Sequence, residues 1–178
     1  MTTVIGIQQD DRAILIADNQ ITDGSRPLRH PNHRKITENG KILIARSGDV
    51  GMCDIIQYVW VTPQPTAADK KDYFKFMVSK FVPSLRSCLK EHDYFSLKGD
   101  NKDDYSFTLL VAVGGFIFEV GDDFSVSMSE DGIYGVGSGS DYAIGAIKAG
   151  ASFERAMEIA EELDVNTSGP FLVKEQLK

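Results

Sequence analysis

The chain has 178 residues, 42% of them hydrophobic, which suits a single globular domain spanning 1–178 with a sizeable core. Its 26 acidic against 19 basic residues give a formal net charge of -7, so nucleic-acid binding through phosphates is not expected. Two cysteines, Cys53 and Cys88, are too few for a disulfide framework or a thiolate metal centre.

No apolar run approaches the ~20 residues that a membrane helix needs. The start, Met1-Thr2-Thr3-Val4-Ile5-Gly6-Ile7, has no basic stretch before an apolar one, so neither a secretory signal nor a pro-segment is expected. A reducing, cytoplasmic setting fits that start and the cysteine count, although two cysteines also permit one disulfide.

In chain order, Val4, Ile5 and Ile7 and then Ala13 to Ala17 flank the polar break Gln8-Gln9-Asp10-Asp11, the pattern of a hairpin with both strands largely buried. Residues 23–34, rich in Gly, Pro, His and Arg, read as a loop. Ile36 and Ile42-Leu43-Ile44 flank Asn39-Gly40, a strong hairpin turn. After Ser47-Gly48-Asp49 the period becomes helical through Met52, Ile55, Ile56 and Val59, until Pro63 and Pro65. A second helix is expected from about 68 to 91, kinked at Pro83, and Lys98 to Asp104 reads as an exposed connector.

The second half repeats this order. Phe107 to Val113 and Phe116 to Val120 form a hairpin about Gly114-Gly115, with weaker strands near 124–128 and 133–136. Gly137-Ser138-Gly139-Ser140 opens a helix through Ala149, Phe153 to Leu163 forms another, and a short strand follows near 171–173. Hairpin runs separated by helix pairs favour an α+β chain with two sheets sandwiched between helix layers over a parallel βαβ sheet.

Thr2 is the first residue that could carry chemistry. A threonine hydroxyl is a weak nucleophile and needs an adjacent base. With Met1 removed, Thr2 supplies its own, because a free α-amino group has a pKa of ~7.7–8.0, near working pH. Many chains begin Met-Thr without any such role. Asp18 ends the second strand, and the hairpin returns it near Thr2, where its carboxylate could hold Lys35. A lysine ammonium there lowers the pKa of both the hydroxyl and the amine of Thr2. The bland alternative is a turn-forming Asp18 and a solvated Lys35. Gly48, just before a helix, offers a backbone N–H to an oxyanion, or simply a permissive turn. The Gly-Ser run at 137–140 lacks the spacing and lysine of a nucleotide loop.

Taken together, Thr2 to Ile7, Ala17-Asp18-Asn19-Gln20-Ile21-Thr22, Arg34-Lys35-Ile36, Ser47-Gly48-Asp49 and Gly135-Val136-Gly137-Ser138-Gly139-Ser140-Asp141-Tyr142-Ala143 resemble the β-subunits of proteasomes, and within them the HslV-like bacterial protease subunits. The resemblance spans nearly the whole chain. It implies a four-layer αββα fold of the N-terminal-nucleophile hydrolases, peptide-bond hydrolysis and a homo-oligomeric ring with its active sites facing an inner chamber. On that pattern Thr2 matches the nucleophile, Asp18 the family's aspartate and Lys35 its lysine, Gly48 the oxyanion glycine, and Ser138 a serine beside the amine. Asp164-Val165-Asn166-Thr167-Ser168-Gly169 resembles the family's Asp-x-x-Ser-Gly stretch, with Thr167 in place of serine. Asp164 and Thr167 would then support the amine.

The loop before Lys35 is one residue longer than the family norm, so either Lys35 or Arg34 faces the site. Asp49 departs from the family's small-residue run, and either points away or signals altered activity. Arg46 falls where the family places a wall of the specificity pocket, and a cation there would favour acidic side chains; a solvent-facing arginine is the alternative. The resemblance further implies stacked hexamers fed with unfolded protein by a separate ATPase, since this chain has no nucleotide motif. It implies no cofactor for the chemistry, and a structural monovalent or divalent cation on carbonyls of Glu161, Asp164 and Thr167. Two rival readings are a catalytically silent ring subunit and an amidohydrolase of the same class acting on small amides.

Overall fold

The computed structural model describes residues 2–23, 26–28, 32–94 and 107–178. Met1, the expected connector at 98–104 and parts of the 23–34 loop lie outside the described residues. One sheet has the order β10-β1-β2-β11, with β1 Val4–Gln8, β2 Arg12–Ala17, β10 Ile133–Val136 and β11 Leu172–Leu177. The other runs β5-β6-β7-β8-β9, with β5 Ile36–Asn39, β6 Ile42–Gly48, β7 Phe107–Val113, β8 Phe116–Val120 and β9 Val126–Ser127. All pairings are antiparallel.

Strand alternation explains the layering, since successive side chains point to opposite faces. In β1 and β2, Val4, Ala13, Leu15 and Ala17 meet Leu43, Ala45, Leu110 and Ala112 of the other sheet. The intervening Ile5, Ile7, Ile14 and Ile16 pack on α4 (Ser140–Lys148) and α5 (Phe153–Leu163) through Ala143, Ala156, Met157 and Ala160. On the far side, Ile42, Ile44, Leu109 and Val111 pack against Met52, Ile56, Phe81 and Leu85. The result is helices, sheet, sheet, helices: the αββα sandwich.

That outer helical layer is more broken than its apolar stripe predicts. Helix α1 (Val50–Asp54) passes directly into a π-helical turn, Ile55–Val59. Of the helix expected over 68–91, a 3₁₀ turn at Asp69–Lys71 stands apart, and the rest is one run in which α2 (Tyr73–Phe76) passes through a π turn at Met77–Phe81 into α3 (Val82–Glu91). Pro83 follows that π turn within a backbone that is already helical at Phe81 and Val82, so its missing N–H falls inside the helix, next to the place where the ladder changes type. Within the expected loop, a two-stranded ribbon pairs β3 (Ile21–Asp23) with β4 (Arg26–Leu28). β11 is twice as long as expected, because it pairs residue for residue with β2 from Leu172↔Ala17 to Leu177↔Arg12.

Candidate active site

β2 carries Asp18 just past its end, and the β1–β2 register sets Val4 opposite Ala17, so Asp18 lies against the chain start. Asp18 and Thr3 clasp each other: Thr3 N–H donates to the side-chain Oδ1 of Asp18 at 2.8 Å, and Asp18 N–H donates to Thr3 O at 3.0 Å. Lys35 Nζ donates to the same Oδ1 at 2.5 Å, while Gln20 N–H donates to Oδ2 at 2.9 Å. The Asp18 side chain is wholly buried and Lys35 nearly so. Neither a solvated Lys35 nor a free turn aspartate describes this pair. It is Lys35 and not Arg34 that pairs with Asp18; Arg34 is exposed, lines the pocket that holds Thr2 and Lys35, and has its main chain held by Gln57 and Arg46. Burial pushes the Lys35 pKa below that of an ordinary lysine, and Asp18 partly restores it.

A second cluster lies on the other side of Thr3. Asp164, at the C-terminal cap of α5, accepts from Ser138 Oγ and Thr167 Oγ1 on Oδ2, each at 2.7 Å, and from Asn166 on Oδ1. Thr3 Oγ1 lies 2.5 Å from Thr167 Oγ1. Since the Thr167 hydroxyl proton goes to Asp164, Thr3 must be the donor, and the relay runs Thr3 to Thr167 to Asp164. Burial raises the Asp164 pKa, but hydrogen bonds from Ser138, Thr167 and Asn166 outweigh it and leave the carboxyl below its usual range. Asp164 is therefore ionised at neutral pH.

Backbone conformation makes room for the chain start. Gly137 has φ +92°, and a Cβ there would lie 1.9 Å from the Thr2 carbonyl oxygen. At Gly139 a Cβ would lie 2.2 Å from Thr3 Oγ1 and 2.6 Å from Thr167 Oγ1. Sequence reasoning passed over Thr3 and both glycines, although each sat inside a quoted motif. Their contacts arise from strands distant in sequence, which no local pattern encodes.

Thr2, Lys35, Gly48, Arg46 and Cys53 line one pocket of about 90 Å³. Gly48 ends β6 with φ +116°, a conformation few residues other than glycine adopt. Asp49 is the N-cap of α1, accepting from Gly51 N–H at 2.8 Å, and its charge is felt at the pocket-lining Cys53. Arg46 is 2% exposed, so it is not solvent-facing. Its guanidinium donates to the carbonyls of Cys53 and Arg34 and, at 2.8 Å, to Gln57 Oε1, while Nε has no partner. Burial pushes the Cys53 thiol up to about 11, against the pull of nearby Arg46.

The Glu161 carboxylate accepts from Ser168 Oγ and Gly169 N–H, both at 3.0 Å. The Asp164 carbonyl accepts the Thr167 N–H at 3.0 Å. Among the described residues no group of three or more His, Cys, Asp or Glu side chains stands close enough to hold a metal ion, and no helix is long and apolar enough to cross a membrane.

The chain resembles known proteins along nearly its whole length. It is 28% identical over 190 residues to the ATP-dependent protease subunit HslV of Neorickettsia sennetsu, covering 97% of this chain and 91% of that one. It is 27% identical to HslV of Thermosipho africanus, covering 98% and 97%. Among solved structures, Thiobacillus denitrificans BPH in complex with epoxomicin superposes with TM-score 0.75 at 24% identity, covering 98% of both chains. Eukaryotic HslV from Trypanosoma brucei gives 0.64 at 20% identity over 99% of both. Anbu, an ancestral β-subunit from Yersinia bercovieri, gives 0.69 at 11%, covering 98% of this chain and 81% of that one. These structures share the fold. No protein-family model matches the chain.

Proposed function

We propose that this chain is a threonine-type endopeptidase, the proteolytic subunit of a self-compartmentalising ring, in which Thr2 is the nucleophile once Met1 has been removed. One observation carries the reading: a buried lysine, fixed at 2.5 Å by a buried aspartate, lines the same small pocket as Thr2. A buried ion pair is poor value as a stabiliser, because desolvation offsets most of its attraction. Its place in the pocket of a hydroxyl that must lose a proton gives it a purpose.

The freed Thr2 amine accepts the Oγ proton as Oγ bonds to the scissile carbonyl carbon. The Gly48 N–H receives the developing oxyanion, a donor worth ~2.7–4 kcal/mol when well placed. Collapse breaks the C–N bond, and the ammonium returns its proton to the departing amine, leaving an ester on Thr2. Water, deprotonated by the same amine, cleaves the ester and restores the hydroxyl. Lys35 remains a fixed cation that favours the neutral amine, while Asp164, Ser138 and Thr167 hold the chain start in place through Thr3.

Arg46 lines this pocket with its guanidinium already donating to Cys53, Arg34 and Gln57, so a preference for acidic side chains before the cut would act through its buried charge and not through direct hydrogen bonds. Fluorogenic peptides ending in Glu, Leu and Arg test it, and faster cleavage after Leu or Arg refutes it. The relatives named ATP-dependent protease subunit support a place for this chain as one subunit of a protease driven by ATP; on the family resemblance we propose a homo-oligomeric ring, stacked hexamers and a separate ATPase that delivers unfolded protein. A cytoplasmic setting accords with that role. No cofactor enters the chemistry. A structural cation fits main-chain carbonyls at the end of α5, where the last turn leaves carbonyls without helical partners. The decisive experiment on the nucleophile is Thr2→Ala, which should abolish peptide turnover with the melting temperature unchanged. Equal activity in that variant removes the assignment and leaves the silent-subunit or small-amide readings.

A further inference from the structure

Lys35 owes its position to a segment with no ladder of its own. Residues 32–34 precede β5, and their main chain hangs on side chains from the helical layer. The Asn32 carbonyl accepts from Gln57 Nε2 at 2.8 Å and from Tyr58 OH at 2.6 Å. The Arg34 N–H donates to Gln57 Oε1 at 3.3 Å, and the Arg34 carbonyl accepts from the Arg46 guanidinium. Arg46 N–H in turn donates to the Lys35 carbonyl at 3.0 Å, and His33 Nδ1 lies 3.1 Å from Asp54 Oδ1.

Gln57 is the hub of this arrangement. Its Oε1 serves both Arg46 Nη2 and the Arg34 amide, and its Nε2 serves Asn32, so each end of the amide faces groups of the right polarity. Gln57 is presented by the π turn Ile55–Val59, which keeps Ile56 in the core while Gln57 and Tyr58 both reach the segment. An inserted π turn of this kind is uncommon and often marks a functional position.

We infer that Gln57 is a positioning residue for the reaction: with Arg46 it clamps residues 32–35 and so sets where the Lys35 ammonium stands relative to Thr2. This rests on the reading of Thr2 as nucleophile. Gln57 touches neither Thr2 nor, on that reading, substrate; it acts through Arg46 and the Arg34 main chain. Arg46 acquires a second duty, as an internal brace from β6 to α1 and to the Arg34 carbonyl.

The test compares the assembled wild-type protein with Gln57→Met and Gln57→Glu, following Thr2 labelling by a peptide epoxyketone and small-peptide turnover from pH 6 to 10. Methionine preserves length and removes every hydrogen bond. Glutamate keeps the acceptor for Arg46 and Arg34 but turns an oxygen toward the Asn32 carbonyl. With the clamp released in Gln57→Met, kcat and labelling rate should fall by about tenfold or more, because a small misplacement of a reacting constellation is costly. KM should change less, and the pH midpoint should move upward, since a more distant ammonium no longer lowers the Thr2 amine pKa. Gln57→Glu should fall between the two. A lower melting temperature with wild-type labelling rate and pH midpoint overturns the inference. Should Gln57→Met fail to fold, Gln57→Glu decides by the same pH midpoint. If wild-type protein is not labelled at Thr2, the nucleophile assignment fails instead, and the two failures are distinct.

Discussion

Replacing Asp18 by Asn tests the pair at the centre of the site. The Asp18 side chain is wholly buried and its Oδ1 accepts from both Lys35 Nζ and the Thr3 amide. Asparagine preserves the shape but leaves Lys35 as a buried cation without its counter-ion. Removing one partner of such a pair costs about 3–5 kcal/mol. For a domain of this size that corresponds to a fall in melting temperature of roughly 6–20 °C, at 2–4 °C per kcal/mol. Melts at fixed protein concentration measure it. The sign with pH is also fixed. Burial already depresses the Lys35 pKa, and loss of Asp18 depresses it further, so the unfolded chain binds the extra proton. The deficit is full below the folded-state Lys35 pKa and shrinks as pH climbs from there toward the ordinary lysine value of ~10.4. A second variant, Asp18→Asn with Lys35→Met, removes the stranded charge and should recover stability relative to Asp18→Asn alone. An unchanged melting temperature in the single variant, or a double variant no more stable than it, refutes the reasoning.

Gly139→Ala forces a Cβ to within 2.2 Å of Thr3 Oγ1; overpacking should cost about 1–3 kcal/mol and disturb the Thr3–Thr167–Asp164 relay, so peptide turnover should fall further than stability accounts for. Because the Cys53 thiol is held up to about 11, iodoacetamide at neutral pH should leave both that thiol and peptidase activity untouched in the folded protein, which peptide mapping and turnover will show. Asp164→Asn keeps the hydrogen-bonding shape but loses an anion that is charged throughout the working range; kcat should drop and the acid limb of the pH profile should move to lower pH, because the protonated Thr2 amine loses a stabilising negative charge.

Where the sequence reading succeeded, a local pattern determined the structure. Asn39-Gly40 makes the β5–β6 turn with Gly40 at φ +63°, and the apolar period over 153–163 returns as α5 with its Ser152 cap. It failed where distant contacts overrode local preference. The apolar stripe over 68–91 is real, but Met77 and Phe81 enter the core through a π turn, whose extra residue shifts the register. β11 draws its length from β2 and not from its own alternation. In the site, Asp18, Lys35, Ser138, Asp164 and Thr167 were visible as residue types within motifs, and the structure groups them as two clusters joined by Thr3. Gln57 gave no signal, because a glutamine in an amphipathic stretch looks like any surface residue until Arg46 and Arg34 are seen against it.

The most direct test is the intact mass of purified protein before and after reaction with a peptide epoxyketone, followed by mapping of the adduct. The mature chain should begin at Thr2 and carry the adduct on that residue alone, with casein digestion lost in step. Protein that retains Met1 and still digests casein, or an adduct on Cys53 with Thr2 unmodified, would contradict the account.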